Sequence, residues 1–308
     1  MKAYDALVIG GGPAGSTAAL YLSRSGCSVL LVEQLAHGGQ LLQTESLENY
    51  PGYPKGIKGY ELADLFAAHL ENLPIDCISA AVESVNGSAG NFIIQAGHQE
   101  YAAKVVLVCS GAKHRQLGLK KEDALLGKGV SYCALCDGNF FRGQIVAVVG
   151  GGNAAMEESL YLAKIVEKVH LIHRRDSFRG LKIYQDRLEA MKDKIELHLN
   201  SVVTDLHGED MLTGLRLQNI KSGEGQDIEV SGLFIYVGFS PVTGYLPESL
   251  QRDSQGFIVT DTEMRTNLPG IFAAGDIRSK LCRQVITAAG DGATAAQAAF
   301  LFLEQLNA

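Results

Sequence analysis

Ala6-Leu7-Val8-Ile9-Gly10-Gly11-Gly12-Pro13-Ala14-Gly15 reads as a buried strand running into a glycine turn, and Ser16 to Ser25 continues as a helical stretch. Gly26 suits that helix's C-cap, and Ser28 to Val32 forms the next strand, ending at Glu33. Each residue of the turn has a task. Gly10 permits the turn, Gly12 lets the backbone approach a pyrophosphate, Gly15 lets helix and strand pack, and Glu33 can accept both ribose hydroxyls. A G-x-G-x-x-G pattern with its strand, helix and acid in place predicts a dinucleotide-binding βαβ unit.

The pattern returns at Val146-Ala147-Val148-Val149-Gly150-Gly151-Gly152-Asn153-Ala154-Ala155, followed by a helical stretch from Met156 to Lys164 and a strand from Val169 to Ile172. The copies align without a gap: Gly10, Gly12 and Gly15 match Gly150, Gly152 and Ala155, whereas Glu33 matches His173, which Arg174 and Arg175 follow. An acid there repels a ribose 2′-phosphate. His173, Arg174, Arg175 and nearby Arg179 can pair with one, since guanidinium forks suit phosphate geometry. The first turn therefore reads as an FAD or NAD site and the second as an NADP site. The plainer reading of the basic cluster is a solvated surface loop.

Two dinucleotide sites on one chain imply electron transfer between two cofactors, with a third redox element to pass electrons onward. Ser131-Tyr132-Cys133-Ala134-Leu135-Cys136-Asp137-Gly138-Asn139-Phe140-Phe141 offers one just before the second turn. A C-x-x-C serves as a redox dithiol or as half of a zinc site. Structural zinc needs four ligands, usually in two close pairs, but Cys27, Cys77, Cys109 and Cys282 stand alone. Those four read as small buried apolar residues, and no metal is expected. Asp137 can take up or release the proton in thiol exchange. Phe140 and Phe141 read either as core or as an apolar contact for a partner loop. His114 reads as a surface or hinge residue, and the other histidines show no pattern.

Between the two turns, His37-Gly38-Gly39-Gln40-Leu41 and Glu48-Asn49-Tyr50-Pro51-Gly52 form a glycine-rich polar loop ahead of a helix from Tyr60 to Leu70. Strands are predicted at Ile78 to Val85, Phe92 to Gln95 and Tyr101 to Val108, the last ending at Ser110-Gly111-Ala112. Near the C-terminus, Leu268-Pro269-Gly270-Ile271-Phe272-Ala273-Ala274-Gly275-Asp276 is a strand ending in Gly-Asp, whose carboxylate suits flavin ribityl hydroxyls. Arg283-Gln284-Val285 opens a long helix, Thr287 to Leu303, whose N-terminal partial charge suits an anionic flavin. If this segment completes the first site, the first domain is discontinuous and the second is inserted into it.

The chain has 308 residues, 46% of them hydrophobic, and a net charge of −7 with mixed signs. That length suits two domains. Its 35 glycines exceed the roughly 7% average and sit at turns. No basic stripe favours a nucleic-acid partner. No leader precedes the first strand and no apolar run approaches a membrane span, so neither membrane nor export is expected; the protein is placed in the cytoplasm.

Gly-Gly-Gln-Leu at 38–41, Glu-Asn-Tyr-Pro-Gly at 48–52, Cys-Ala-Leu-Cys-Asp-Gly at 133–138, Gly-Gly-Gly-Asn-Ala-Ala at 150–155, His-Arg-Arg at 173–175 and Arg-Gln-Val at 283–285 resemble, in order, the low-molecular-weight thioredoxin reductase family. In the larger glutathione-reductase type the C-x-x-C instead follows the first glycine motif. The resemblance implies an α/β fold of two Rossmann-like three-layer domains, with FAD bound by 1–114 and 245–308 and NADPH by an inserted 115–244. It implies FAD contacts from Gly10, Gly12, Pro13, Ala14, Gly15, Glu33 and Gln34, from Gly39, Gln40, Leu41, Asn49, Gly111 and Ala112, and from Gly275, Asp276, Arg283, Gln284 and Val285. NADPH contacts would come from Gly150, Gly152, Asn153, Ala154 and Ala155 with His173, Arg174, Arg175 and Arg179. Cys136 would face the flavin, Cys133 would attack thioredoxin or a thioredoxin-like protein, and Asp137 would be the acid or base. A homodimer is implied, with hinges around Lys113 to Leu117 and Gly238 to Tyr245. Two departures stand out: Leu119-Lys120-Lys121-Glu122-Asp123 replaces a proline-glycine-glutamate stretch, and Lys128 replaces an arginine. Alternatives on the same fold are a peroxide-reducing partner, a ferredoxin-fed reductase, a dithiol oxidase using oxygen, and a flavin sensor without turnover. The basic cluster argues against donors other than NADPH, and the lack of a preceding thioredoxin-like domain argues against a self-contained peroxide system.

Overall fold

The computed structural model describes residues 2–44, 46–47 and 49–307; the side chains of Gln43, Ser46, Leu135, Cys136 and Asn307 lie outside that description. The backbone divides into two compact units, one formed by 1–113 with 240–308 and the other by 114–239. The second crossing precedes the 244/245 boundary that the family resemblance implies because 241–245 is tied into the first unit. Ser110 Oγ donates to the Val242 carbonyl (3.1 Å) and shares a hydrogen bond with Tyr245 Oη (2.7 Å), and Val85 N–H donates to the Tyr245 carbonyl (3.1 Å).

In chain order the first unit begins with β1 (Lys2–Ile9), α1 (Pro13–Arg24), β2 (Val29–Glu33), α2 (Gly59–Glu71), β3 (Ile75–Ser79), β4 (Val82–Ser88), β5 (Asn91–Ala96) and β6 (Gln99–Val108). The inserted unit contains β7 (Val130–Ser131), α3 (Ala134–Asp137), β8 (Ile145–Gly150), α4 (Asn153–Leu162), β9 (Lys168–His173), α5 (Lys182–Ala190), β10 (Ile195–Leu199), β11 (Ser201–His207), β12 (Gly214–Asn219), β13 (Gly225–Glu229) and β14 (Gly232–Tyr236). The chain returns to the first unit with β15 (Ile271–Ala273) and α6 (Val285–Asn307).

Three local readings need correction. Both glycine-turn helices start three residues earlier than periodicity suggests, at Pro13 and Asn153. Proline is at home there because the first-turn N–H has no helical partner to lose. The second helix stops at Leu162, where i−3 bonds from Lys164 to Tyr161 and from Ile165 to Leu162 close the last turn. The predicted strand Ile78 to Val85 is two strands broken at 80–81: β3 pairs parallel with β2, whereas β4 starts an antiparallel pairing with β5.

Among the described residues, the first unit's main sheet runs β3-β2-β1-β6-β5-β4, and β15 shares an edge of β6. Ile9 pairs with Val108, and Ala273 also pairs with Val108, so β1, β6 and β15 end together. The strand order reverses at β1, which opens a crevice beyond those carboxyl ends, the usual ligand site of open α/β sheets. One face buries Val8, Leu31, Leu107 and Phe272 under α1 and α6; the other buries Leu7, Leu30, Phe92 and Ile94. The inserted unit repeats this plan with an all-parallel sheet, β7-β14-β8-β9-β10, covered by α4 and α5 on one face and by antiparallel β11-β12-β13 on the other.

Helix α6 lies directly on α1. A Cβ on Gly292 would sit 2.1 Å from the Ala14 carbonyl oxygen. Alanine at a helix-interior glycine gains about 1 kcal/mol from propensity, but forcing apart two packed helices costs about 1–3 kcal/mol or more. Overpacking wins against backbone that cannot yield. Gly292→Ala is therefore expected to lower stability by ~1–2 kcal/mol in urea unfolding, whereas an unstrained site would show a gain.

Candidate active site

The first glycine turn is held open by contacts that admit only glycine. Gly10 has φ +103°, and a Cβ on Gly15 would lie 1.8 Å from the Gly10 carbonyl oxygen. Over Gly12, by contrast, a Cβ would meet nothing closer than Gly39 Cα at 3.8 Å. That open backbone is the cradle a pyrophosphate needs. Glu33 closes the turn from the side, its Oε2 accepting Gly11 N–H (2.6 Å) and its Oε1 accepting Leu35 N–H (2.9 Å). The loop at 38–41 docks alongside: Gly38 N–H donates to the Gly11 carbonyl (2.8 Å), Gln40 Nε2 donates to the Ala112 carbonyl (2.7 Å), and Leu41 is buried. Asn49 Nδ2 donates to Gln284 Oε1 (2.9 Å), tying this loop to the start of α6, while Val285 packs with the Leu41 cluster. Pro13 and Ala14 form the first turn of α1, Gln34 is exposed just past β2, and Gly111 (φ +65°) has open space above it.

Among the described residues, four buried polar atoms in this unit lack a hydrogen-bond partner: Ser23 Oγ in the last turn of α1, and Asp276 Oδ1, Arg283 Nε and His37 Nδ1. Unpaired buried polar atoms are costly, and atoms of this kind around an open glycine cradle fit a polar ligand such as the ribityl and diphosphate of FAD. Burial pushes the Asp276 carboxyl above its usual range. Gly275 adjoins it, held by its N–H on Asp291 Oδ2 (3.1 Å). Asp291, from α6, also pairs with Arg278 (2.9 Å) and Lys280 (2.8 Å), all three side chains nearly buried. Without that carboxylate, two cations would be left in a low-dielectric pocket, at a cost of several kcal/mol. The sequence reading missed Asp291 and His37; an acid in the alanine-rich first half of the helix was the available signal.

The second turn has the same form. Gly152 has nothing within 4 Å of a built Cβ, Ala155 is buried where Gly15 stands in the first copy, and Ala154 is exposed. Asn153 Oδ1 accepts Leu181 N–H (2.8 Å), and Arg179 N–H donates to the Gly151 carbonyl (2.9 Å), so the loop after β9 folds over the turn. Arg174, Arg175 and Arg179 are exposed. His173 departs from its reading as a phosphate partner. It is 6% exposed, stacked on Phe178 (5.3 Å), bonded through Nε2 to the Ser177 carbonyl (3.1 Å), and packed so tightly that a Cβ on Gly151 would strike its ring. Burial, reinforced by the arginines, pushes its pKa down, so the neutral ring supports the turn and the guanidiniums carry the charge.

In this unit, Cys133 is disulfide-bonded and follows β7, whose Ser131 pairs with Phe234 of β14. Gly150 of the glycine turn pairs with Tyr236 at the end of the same strand. Disulfide and turn therefore share the carboxyl edge of one sheet. Ser131 Oγ donates to Asp137 Oδ2 (2.6 Å) and accepts Cys133 N–H (3.0 Å), while Tyr236 Oη accepts Ala134 N–H (2.6 Å). The short helix α3 is thus pinned at both flanks by side chains that the C-x-x-C spacing did not announce. Gly138 permits its close seat on α4, since a Cβ would meet Leu162 at 2.9 Å. The Cys136 side chain lies outside the described residues. Phe141 is core, edge-on to Phe234 (5.5 Å), whereas Phe140 is 74% exposed.

The remaining expectations divide. Of the four isolated cysteines only Cys109 is buried; Cys27 is half-buried, and Cys77 and Cys282 are exposed because they sit on an edge strand and in a loop. His114 is half-buried, packed against Tyr132 (5.0 Å) and Phe239 (4.6 Å). In the departing 119–123 stretch, Glu122 is buried and accepts the N–H groups of Leu117 (3.0 Å) and Gly118 (2.9 Å) together with Tyr132 Oη (2.7 Å), so it orders the start of the inserted unit. Lys128 is exposed.

A family model described as pyridine nucleotide-disulphide oxidoreductase matches residues 4–292. A thioredoxin reductase of Listeria monocytogenes is 43% identical over 308 residues, covering 99% of this chain and 96% of that protein. One from Treponema pallidum is 42% identical over 304 residues, covering 99% and 98%. The crystal structure of Lactococcus lactis thioredoxin reductase matches with TM-score 0.81 and 42% identity, covering 98% of this chain and 99% of that one.

Glu158, on α4, also has a buried oxygen without a partner, and burial, with Glu157 beside it, pushes its carboxyl up to about 7. A raised carboxyl pKa favours the protonated folded state. Stability is then unpenalised below the unfolded value near 4.5 and falls as pH rises from there to about 7. Partial exposure limits the loss to about 1–3 kcal/mol. Chemical denaturation from pH 4.5 to 8 should show this fall in the native chain and its absence in Glu158→Gln; parallel pH curves for the two proteins would contradict the assignment.

Proposed function

The chain belongs to the pyridine nucleotide-disulphide oxidoreductase family, and on that premise we propose that it is an NADPH-dependent, FAD-containing thioredoxin reductase. The observation that carries this reading is the Cys133 disulfide at the sheet edge that bears the second glycine turn. FAD would be held by the first unit, 1–113 with 240–308, and NADPH by the inserted 114–239. Bound together, the two cofactors supply the electron pair that opens a disulfide. Each cradle in this structure offers what its cofactor needs: the unpaired Asp276 and Arg283 atoms near the first, exposed arginines beside the second.

The chain's own residues do the rest. Opening the Cys133–Cys136 disulfide yields two thiols at the cost of two electrons and two protons. The Cys133 thiolate attacks one sulfur of the oxidised partner, a mixed disulfide forms, and the second partner sulfur leaves as thiolate. Cys136 then attacks Cys133 and restores the internal disulfide, releasing reduced partner. Asp137, oriented by Ser131, exchanges the proton. Exposed Phe140 offers an apolar contact to the partner's loop. The exposed free cysteines Cys77 and Cys282 suit a reducing compartment such as the cytoplasm, and among the described residues no helix is long and apolar enough to cross a membrane. The family resemblance supports a homodimer, which sedimentation velocity tests.

NADPH oxidation compared across thioredoxin, glutaredoxin-like and peroxiredoxin-like acceptors should be fastest with thioredoxin; preference for another acceptor would overturn that partner. Cys133→Ser should abolish thioredoxin reduction while NADPH still bleaches the flavin absorbance, separating the exchange step from flavin reduction. Arg174→Ala removes a charged hydrogen bond of about 1.5–3 kcal/mol, so KM for NADPH should rise ~10–100-fold with KM for NADH unchanged. An equal rise for both nucleotides would remove the phosphate-pairing role.

A further inference from the structure

The inserted unit carries a cluster that none of the redox chemistry uses. His170 lies on β9, and Glu196 and His198 lie on edge strand β10. The strands pair in parallel with His170 opposite Glu196 and Ile172 opposite His198. Alternation then directs all three side chains to one face, the face that also bears Ile172 and packs against the antiparallel sheet. His170 Nδ1 and His198 Nε2 are 2.9 Å apart, His198 Nε2 lies 3.4 Å from Glu196 Oε1, and His170 Nδ1 lies 3.9 Å from Glu196 Oε2. One ligand atom from each residue can be chosen so that all fall within 4.8 Å of one another.

We propose that His170, Glu196 and His198 form a binding site for one divalent transition-metal ion of the zinc or copper class. Bonds of about 2.0–2.1 Å to nitrogen and oxygen in tetrahedral array place the ligand atoms ~3.3 Å apart, a value these separations straddle. Two imidazoles and a carboxylate are ligands suited to that class, and three protein ligands leave a fourth position for water. His170 is 8% exposed, and burial disfavours protonation of both rings, which leaves lone pairs for a metal. Lys168, on the same strand, pairs with Glu196 and stands in for the cation. A dication displaces that ammonium, whose half-exposed side chain is free to move to solvent. None of the three residues is assigned to the disulfide or to either nucleotide, although Leu199, next to His198, pairs with His173.

The test uses the full-length, FAD-loaded protein in its disulfide form, without thiol reductant and with exposed Cys77 and Cys282 alkylated. Zinc titration calorimetry should show one saturable equivalent, weakened at least ~10-fold in His198→Gln, as loss of a metal-site residue does. Lys168→Met, which keeps every ligand and removes the competing charge, should tighten binding by ~10-fold or more. Bound copper(II) should show electron paramagnetic resonance coupling to two imidazole nitrogens. Absence of saturable zinc binding, unchanged affinity in both variants, or a copper signal without two coupled nitrogens would overturn the site. Lys168→Met and the copper spectrum keep the test decisive should His198→Gln fail to fold.

Discussion

The close approach of strand to helix at each glycine turn is the constraint on which everything else rests. At the first turn a single methyl on Gly15 would overlap the Gly10 carbonyl, so α1 can sit against β1 only with hydrogen at that position. The helix start then faces the crevice at the end of β1, where the bare backbone of Gly12 leaves room for phosphate. The second turn reaches the same form with a buried alanine in place of the third glycine. Two such turns, on two sheets with matching strand reversal, make a protein with two nucleotide cradles.

What distinguishes the cradles is charge placed one strand away. Glu33 and His173 occupy matching positions and both turn inward to brace their glycine loop, one by accepting Gly11 N–H and the other by packing its ring beneath Gly151. The position thus has a structural task in both copies. In the second copy it is the neighbouring arginines that stay exposed beside the turn.

The disulfide region follows a related economy. A four-residue helix is too short to hold itself, and α3 depends on Ser131, Tyr236 and the tight seat of Gly138. The same serine that fixes Cys133's backbone also aims Asp137. One hydroxyl therefore holds both the backbone at the disulfide and the carboxylate that follows it. On the FAD side, Asp291 plays the corresponding role, neutralising two cations while holding the Gly275 amide beside Asp276.

The α/β class, both glycine turns, the basic cluster and the C-x-x-C were legible in the sequence because each is local: strand, turn and helix follow one another, and their periodicities and glycines need no distant partner. Element ends were less legible, as at Pro13 and at the 80–81 break, because there hydrogen bonding to remote strands decides. Tertiary structure alone decided which distant polar groups meet. Asp291 found Arg278 and Lys280 through helix packing, His173 lost its solvent through the loop that covers it, and Cys77 and Cys282 kept theirs. His170, Glu196 and His198 share a face only because two parallel strands adopt one register, and register is set by long-range pairing that a linear chain does not display.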